Sequence, residues 1–288
     1  MSHKNLWLAT TAIFIVAVAV LYARDKPGTG NARELPAADA NGLAKQMFAL
    51  LENDPRVRRT PTQRVVEALA ALAEDPTADS AETRYALGLL LYYRERDSSA
   101  AETALREAIA LRPEWSWPHN NLGSALFDLG REAEALESFG EAMKLDPEWP
   151  RPLNDMAILF RLEGRMVLAL NQILAALEMD PEGAVTHYNY GVILEVMGRY
   201  SEARAQYERV IELDATIPAS HYNIACHYAR DGDLEAALPY LTEAIRLEEK
   251  FRKECEKDPD FDRVRDEAEF VALLEGTGIT GSPRTTSP

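Results

Sequence analysis

The chain has 288 residues, 47% of them apolar and 27% charged, so it can bury a core and is not disordered by composition. Its formal net charge of −16 argues against nucleic acid, whose phosphates need Lys and Arg, and against general adhesion to anionic headgroups. A solvated acidic surface is the simplest reading of that charge, and it suits solubility and basic partners.

Residues 5–23, NLWLATTAIFIVAVAVLYA, lie between Lys4 and Arg24 without a charge. As a helix they would span roughly 28 Å, close to the ~30 Å hydrocarbon core of a bilayer. Trp7 and Tyr22 stand near the two ends, where amphipathic rings favour the interface. Residues 1–24 are therefore read as a single transmembrane anchor. The alternative is a cleaved signal sequence with Ala17-Val18-Ala19 as its small-residue site. Lys4 on one side and Arg24, Lys26 and Arg33 on the other do not decide the orientation. The short signal-like start places the rest of the chain outside the cytoplasm. Residues 25–37, rich in Pro, Gly and polar side chains, read as a flexible tether.

Residues 38–76 carry Leu43, Met47, Leu50 and Leu51, then Val65, Val66, Leu69 and Leu72, at helical spacing. Asn53-Asp54-Pro55 separates the two runs, and Thr60-Pro61 starts the second. This pair reads as a degenerate or capping helical hairpin.

From residue 81 a fixed period takes over. Gly130, Gly164, Gly198 and Gly232 are 34 residues apart. Ala135, Ala169, Ala203 and Ala237 follow them at a constant offset, and Gly123, Ala157, Gly191 and Ala225 precede them at another. The pattern is helix, turn, helix, with helix A of the second unit near Trp117–Leu129 and helix B near Glu132–Leu145. The glycine ends helix A, since a residue without Cβ takes the left-handed conformation cheaply. The other small residues let adjacent helices approach.

With His119, Leu122, Gly123, Leu126, Ala135, Phe139, Ala142 and Pro147, the second unit resembles a tetratricopeptide repeat. The third (Leu153, Met156, Ala157, Phe160, Ala169, Ile173, Ala176, Pro181) follows it closely. The fourth (His187, Tyr190, Gly191, Leu194, Ala203, Tyr207, Val210) has Ala215 where proline is usual. The fifth gives His221, Ile224, Ala225, Tyr228, Ala237, Leu241 and Ala244. The first fits with one extra residue in its turn, Arg94-Glu95-Arg96-Asp97, around Leu87, Gly88, Leu91, Ala101, Leu105, Ala108 and Pro113.

The resemblance implies an all-α protein. Five repeats over residues 81–249 would stack as helix hairpins into a right-handed α-solenoid with a concave groove. In that family helix A lines the groove. The corresponding positions here are Tyr85, Leu89, Tyr92, Tyr93, Trp117, Asn120, Phe127, Arg151, Asn154, Ile158, Tyr188, Val192, Tyr222 and Arg230. Seven of the fourteen are aromatic, which suits an apolar helix or extended peptide of a partner protein. The family's carboxylate clamp is not expected. Around Asn121 the required charges are replaced by Tyr85, Leu89 and Asp155, leaving only Arg151.

Chemistry beyond binding is not expected. His119, His187 and His221 share one repeat position, but neighbouring helices are ~8–10 Å apart, too far for a shared metal ion. Asp258, Asp260, Asp262, Asp266 and Glu269 mimic an EF-hand loop, with Arg263 where the turn needs glycine. The same stretch resembles the tail that follows many such arrays. In that reading residues 250–275 form capping helices, and Phe261, Val264 and Phe270 dock on the last repeat. Cys226 and Cys255 form no CxxC pair and read as buried residues; whether they pair is left open. No Walker loop, HExxH, GxSxG or dinucleotide fingerprint occurs, so neither an enzyme nor a cofactor is expected. Residues 276–288 read as a disordered tail. The expectation is a membrane-tethered scaffold holding a partner segment, or else a secreted or periplasmic assembly factor.

Overall fold

The structure, a computed structural model, describes residues 80–93 and 95–276. The anchor, the tether, the hairpin at 38–76 and the tail after Gly276 lie outside the described residues. Among the described residues no helix is long and apolar enough to cross a membrane.

Twelve α-helices occur among the described residues, and no strand. They are α1 (Ala81–Tyr93), α2 (Ser98–Leu111), α3 (Ser116–Asp128), α4 (Glu132–Leu145), α5 (Arg151–Leu162) and α6 (Met166–Met179). Then come α7 (Ala184–Val196), α8 (Tyr200–Leu213), α9 (Pro218–Asp231), α10 (Leu234–Leu247), α11 (Lys250–Cys255) and α12 (Ala268–Glu275). A 3-10 turn covers Pro259–Phe261. The chain divides into an amino-terminal unit ending at Leu159 and a carboxy-terminal unit starting at Phe160.

In the amino-terminal unit α1 packs on α2 and α3 on α4, and α2 joins the two pairs by packing on α3. In the carboxy-terminal unit α7 pairs with α8 and α9 with α10, while α6 packs on α7 and α8 on α9. These are stacked antiparallel hairpins, each burying its small residues against the next helix. The buried alanines Ala135, Ala169, Ala203 and Ala237 have no exposed surface at all.

The close approach has a measurable basis. A Cβ at Gly123 would sit 2.7 Å from Phe139 Cε1, and one at Gly191 would sit 2.5 Å from Tyr207 Cε1. Both rings are almost fully buried and cannot step aside. The equivalent position carries alanine, Ala225, where the opposing side chain is the smaller Leu241, in the same core cluster. In the first hairpin glycine faces a leucine as closely, a Cβ at Gly88 meeting Leu105 Cγ at 2.7 Å. A methyl group added at Gly123 would overpack its pair by ~1–3 kcal/mol.

The inter-helix glycines have φ between +73° and +81° at Gly130, Gly164, Gly198 and Gly232. Each is followed by a backbone bond that closes the helix end, such as Arg131 N–H to Leu126 O at 2.9 Å and Arg199 N–H to Leu194 O at 2.9 Å. The first hairpin solves the same turn without glycine. Arg96 takes φ 58°, and the extra residue shifts the closing bond to Asp97 N–H and Leu91 O at 2.9 Å.

The repeated histidines have a structural task. Nε2 lies 3.0 Å from Pro113 O for His119, 3.0 Å from Pro181 O for His187 and 2.9 Å from Ala215 O for His221. A carbonyl only accepts, so each Nε2 carries the proton and ties the start of helix A to the preceding turn. The other ring nitrogen of His187, Nδ1, lies 2.8 Å from Gln206 Oε1 and ties α7 to α8.

The inner helices as a candidate binding surface

The fourteen expected groove residues all lie on the first helix of a hairpin, but the structure sorts them into two groups. Tyr85, Leu89, Trp117, Asn120, Asn154 and Tyr222 are buried. Tyr92, Tyr93, Phe127, Arg151, Ile158, Tyr188, Val192 and Arg230 are half-buried. For the first six, the expectation of a solvent-facing side chain is corrected.

The reason is aromatic cover supplied by turns and by the tail. Tyr85 meets Trp115 edge-on at 4.7 Å, and Trp117 lies 6.2 Å from Trp115 and 6.1 Å from Trp149. Trp115 and Trp149 occupy the turns just before α3 and α5. Arg112 closes the stack, with its guanidinium 3.8 Å from the centre of the Trp115 ring. Tyr222 stacks on Phe251 at 4.6 Å and faces Phe261 at 5.9 Å, both from the segment after the last repeat.

In the amino-terminal unit a polar network underlies the half-buried residues. Arg151 Nε donates to both carboxylate oxygens of Asp155 at 3.0 and 2.9 Å. Asn120 Nδ2 donates to Asp155 at 2.8 Å, and Asn154 Nδ2 adds a longer contact at 3.3 Å. Asn121 Nδ2 donates to Tyr85 OH at 2.9 Å and to Trp117 O at 3.0 Å. Tyr93 OH donates to Asn121 Oδ1 at 3.4 Å. Burial pushes the Tyr93 and Tyr85 phenols above the usual range, so both stay neutral. The arginine that a foreign carboxylate would need is held by the chain's own Asp155.

The carboxy-terminal unit has its own network, centred on Glu195. Tyr207 OH donates to Glu195 Oε2 at 2.8 Å, and His227 Nε2 donates to Oε1 at 3.2 Å. Arg230 stands 3.5 Å from the same oxygen. Burial alone would raise the Glu195 carboxyl; the bonds from His227 and Tyr207 outweigh it and hold it below its ordinary value. Arg230 also grips Asp260 with two bonds, at 2.9 and 2.6 Å. Tyr222 OH donates to Asp258 at 2.8 Å.

Cys226, Asp258 and Asp260 lie close enough to suggest a metal site. Each is already bonded to a partner within the chain. Asp258 takes Tyr222 OH, the Cys226 thiol at 3.7 Å and the Asp260 backbone N–H at 3.0 Å, while Asp260 takes Arg230. Burial pushes the Cys226 thiol far above the thiolate range. The trio fastens the tail to α9. Cys226 and Cys255 are both free and buried.

These interactions share a spacing that sequence reading passed over. Asn120 to Asp155 and Arg230 to Glu195 are 35 residues apart, and Asn121 to Tyr85 and Tyr222 to Asp258 are 36 apart. One period plus one or two residues links successive inner helices in three of these pairs and α9 to the tail in the fourth. Searching for donor–acceptor pairs at that spacing would have found both networks.

Profiles described as tetratricopeptide repeat match residues 117–149, 184–216 and 218–251. Among solved structures, the thermophilic repeat protein TTC0263 of Thermus thermophilus is 22% identical with a TM-score of 0.52, covering 68% of this chain and 100% of that one. PilF of Pseudomonas aeruginosa is 19% identical with a TM-score of 0.51, covering 77% of this chain and 95% of that one. A chain of the APC/C hetero-tetramer Cut9-Hcn1 is 14% identical with a TM-score of 0.56, covering 82% of this chain and 52% of that one. At these identities the likeness is one of fold. No curated protein sequence matches the chain significantly. The profile matches, the stacked hairpins and the glycine turns together show that the chain carries tetratricopeptide repeats, a fold of protein-interaction scaffolds.

Proposed function

We propose that this protein is a membrane-tethered, non-catalytic scaffold whose inner helices hold an apolar or aromatic-binding segment of a partner protein. The observation that carries the reading is the set of half-buried rings and aliphatic side chains on those helices: Tyr92, Tyr93, Phe127 and Ile158 in one unit, Tyr188 and Val192 in the other. Each offers apolar surface beside a polar network whose donors are held by partners within the chain, with Asn120 Oδ1 left without one, so binding there orders few new groups. The uncharged segment at residues 5–23 supplies the tether, and the repeats stand outside the cytoplasm in this reading.

Replacing Tyr92, Phe127 and Tyr188 together by Ala reduces in-cell crosslinking to the partner by at least about tenfold, the effect of losing ~1.4 kcal/mol, with helicity unchanged. Undiminished crosslinking would move the site off the inner helices. Deleting residues 1–24 releases the protein to the soluble fraction. An intact mass lacking those residues in the native protein would instead make it a secreted or periplasmic assembly factor with a cleaved signal.

A further inference from the structure

The exposed apolar side chains are not spread evenly. Ten large ones are exposed among the described residues, and five crowd two consecutive turns of the carboxy-terminal unit. Leu162 is 58% exposed and Val167 70% exposed at the α5–α6 turn, and Val196, Met197 and Tyr200 are 55%, 36% and 48% exposed at the α7–α8 turn. Leu162 and Val196 are one 34-residue period apart, and α6 packs on α7, so the repeat puts both turns on one edge of the unit. A single exposed Leu is ordinary, but five such residues on one edge are not.

The charges on this edge differ from those of the chain. Arg161, Arg165 and Arg199 stand among the apolar residues, against Glu163 and Glu202. Arg165 pairs with Glu163 at 3.0 Å and Arg199 with Glu202 at 2.6 Å, both exposed pairs of little net worth. Glu195 turns inward to His227 and Tyr207. The turn of the last repeat carries Asp231 and Asp233 instead, and the first hairpin carries Glu95 and Asp97 around Arg96. In a chain of net charge −16, the α5–α6 and α7–α8 turns form an edge with a local cationic excess and an apolar tip.

Tyr200 is also held in place rather than free. The Arg230 guanidinium lies 4.5 Å from its ring centre, and the His227 ring meets it edge-on at 6.0 Å. A fixed Tyr beside Val, Leu, Met and Arg is the residue mixture of the bilayer interface, where rings and aliphatic tips enter the acyl boundary and guanidiniums reach the phosphates.

We infer that this edge seats on the surface of a bilayer containing anionic lipid, so that the carboxy-terminal unit lies against the membrane that the tether reaches. The inference rests on the tethered reading above for the membrane's presence, and on the edge itself for the contact. It names the exception to the repulsion that the overall charge imposes: only where carboxylates are few and apolar tips project can this protein approach headgroups.

The test uses the full chain in vesicles of phosphatidylcholine and phosphatidylglycerol, with an environment-sensitive fluorophore on Val167→Cys, Val196→Cys or, as control, Asp233→Cys. The native thiols are buried, and all three labelled positions are in turns or at helix ends. Blue-shifted emission that brominated lipids quench at 167 and 196, but not at 233, is the expected result. Equal, weak quenching at all three positions overturns the inference. A blue shift at 167 and 196 that brominated lipids leave untouched and that grows with protein concentration also overturns it, because a second copy then covers the edge. Vesicle sedimentation is scored in parallel and reports the tether separately. Sedimentation without quenching at the edge leaves the tether standing and removes the inference. Quenching at the edge in a chain lacking residues 1–24 keeps the inference without the tether, and neither signal removes both.

Discussion

The two units use the first helices of their hairpins alike and finish them differently. In the amino-terminal unit the network of Arg151, Asp155, Asn120 and Asn121 is completed by neighbouring inner helices, and Tyr92, Tyr93 and Phe127 remain half-buried above it. In the carboxy-terminal unit the inner face of α9 is closed by the chain's own tail. Asp258 and Asp260 take Tyr222 and Arg230, and Phe251 and Phe261 cover the ring of Tyr222. A terminal repeat has no next repeat to bury its side, and an atypical cap supplies the missing face. The lesson is that a position rule derived from interior repeats overstates access at the end of an array. Of the two pairs, Tyr92 with Phe127 is the better candidate for a partner, and Tyr222 with Arg230 is already spent on the cap.

The strongest way to break this comparison is to remove the cap's anchor. Phe261 has no exposed surface, and its ring lies 5.4 Å from Phe270. Phe261→Ala leaves a cavity and costs about 3–5 kcal/mol. Amides of α9 and α10 then exchange much faster, while the fluorescence of the buried Trp115, Trp117 and Trp149, all in the other unit, keeps its unfolding midpoint. If that fluorescence and the helicity shift together, the units unfold as one and the distinction loses its energetic meaning.

A smaller effect separates the two networks by their chemistry. Glu195 has a folded pKa below its unfolded value, so its bonds stabilise the protein above the ordinary carboxylate range near 4.3 and fail as pH falls through the folded value. The expected contribution at neutral pH is about 1–2 kcal/mol, lost on acidification below about pH 4.5. Glu195→Gln lowers stability at pH 7 and flattens this acid limb, read by denaturant midpoints of the carboxy-terminal unit at pH 7 and pH 3.5. An equally steep limb in the variant would assign the acid sensitivity to other carboxylates.

How far the sequence carried the description follows from which interactions are local. The 34-residue period places the hairpins, because helix, glycine turn and small contact residues are set within one repeat. The substitution of Arg94-Glu95-Arg96-Asp97 for a glycine turn was visible as one extra residue, and the structure realises it as a shifted closing bond. Docking of Phe261, Val264 and Phe270 was legible through the resemblance to the tails of such arrays, and all three have no exposed surface. The site was less legible. Helix A positions 85, 117 and 222 look alike in one repeat's frame, and what buries them comes from Trp115, Trp149, Phe251 and Phe261, outside that frame. The exposed edge at Leu162, Val167, Val196, Met197 and Tyr200 was hidden for the opposite reason: each residue is ordinary in its own helix, and only stacking gathers them.

The smallest expected effect concerns the turns themselves and contrasts the first hairpin with the rest. Arg96 holds φ 58°, a region that costs a residue with Cβ about 1–2 kcal/mol relative to glycine. Glycine at that site also gains freedom in the unfolded chain, which offsets about 0.4–1 kcal/mol of the relief. Arg96→Gly is therefore stabilising by about 0.5 kcal/mol. Gly198→Ala works in the opposite direction. An added Cβ there meets nothing within 4 Å, so the whole cost of about 1 kcal/mol is backbone strain and none of it is a clash. Chemical denaturation of the two variants should move the midpoint in opposite directions. A Gly198→Ala variant as stable as wild type would show that the turn relaxes out of the left-handed region. A destabilised Arg96→Gly variant would show that the Arg96 side chain, exposed as it is, contributes more than its backbone costs.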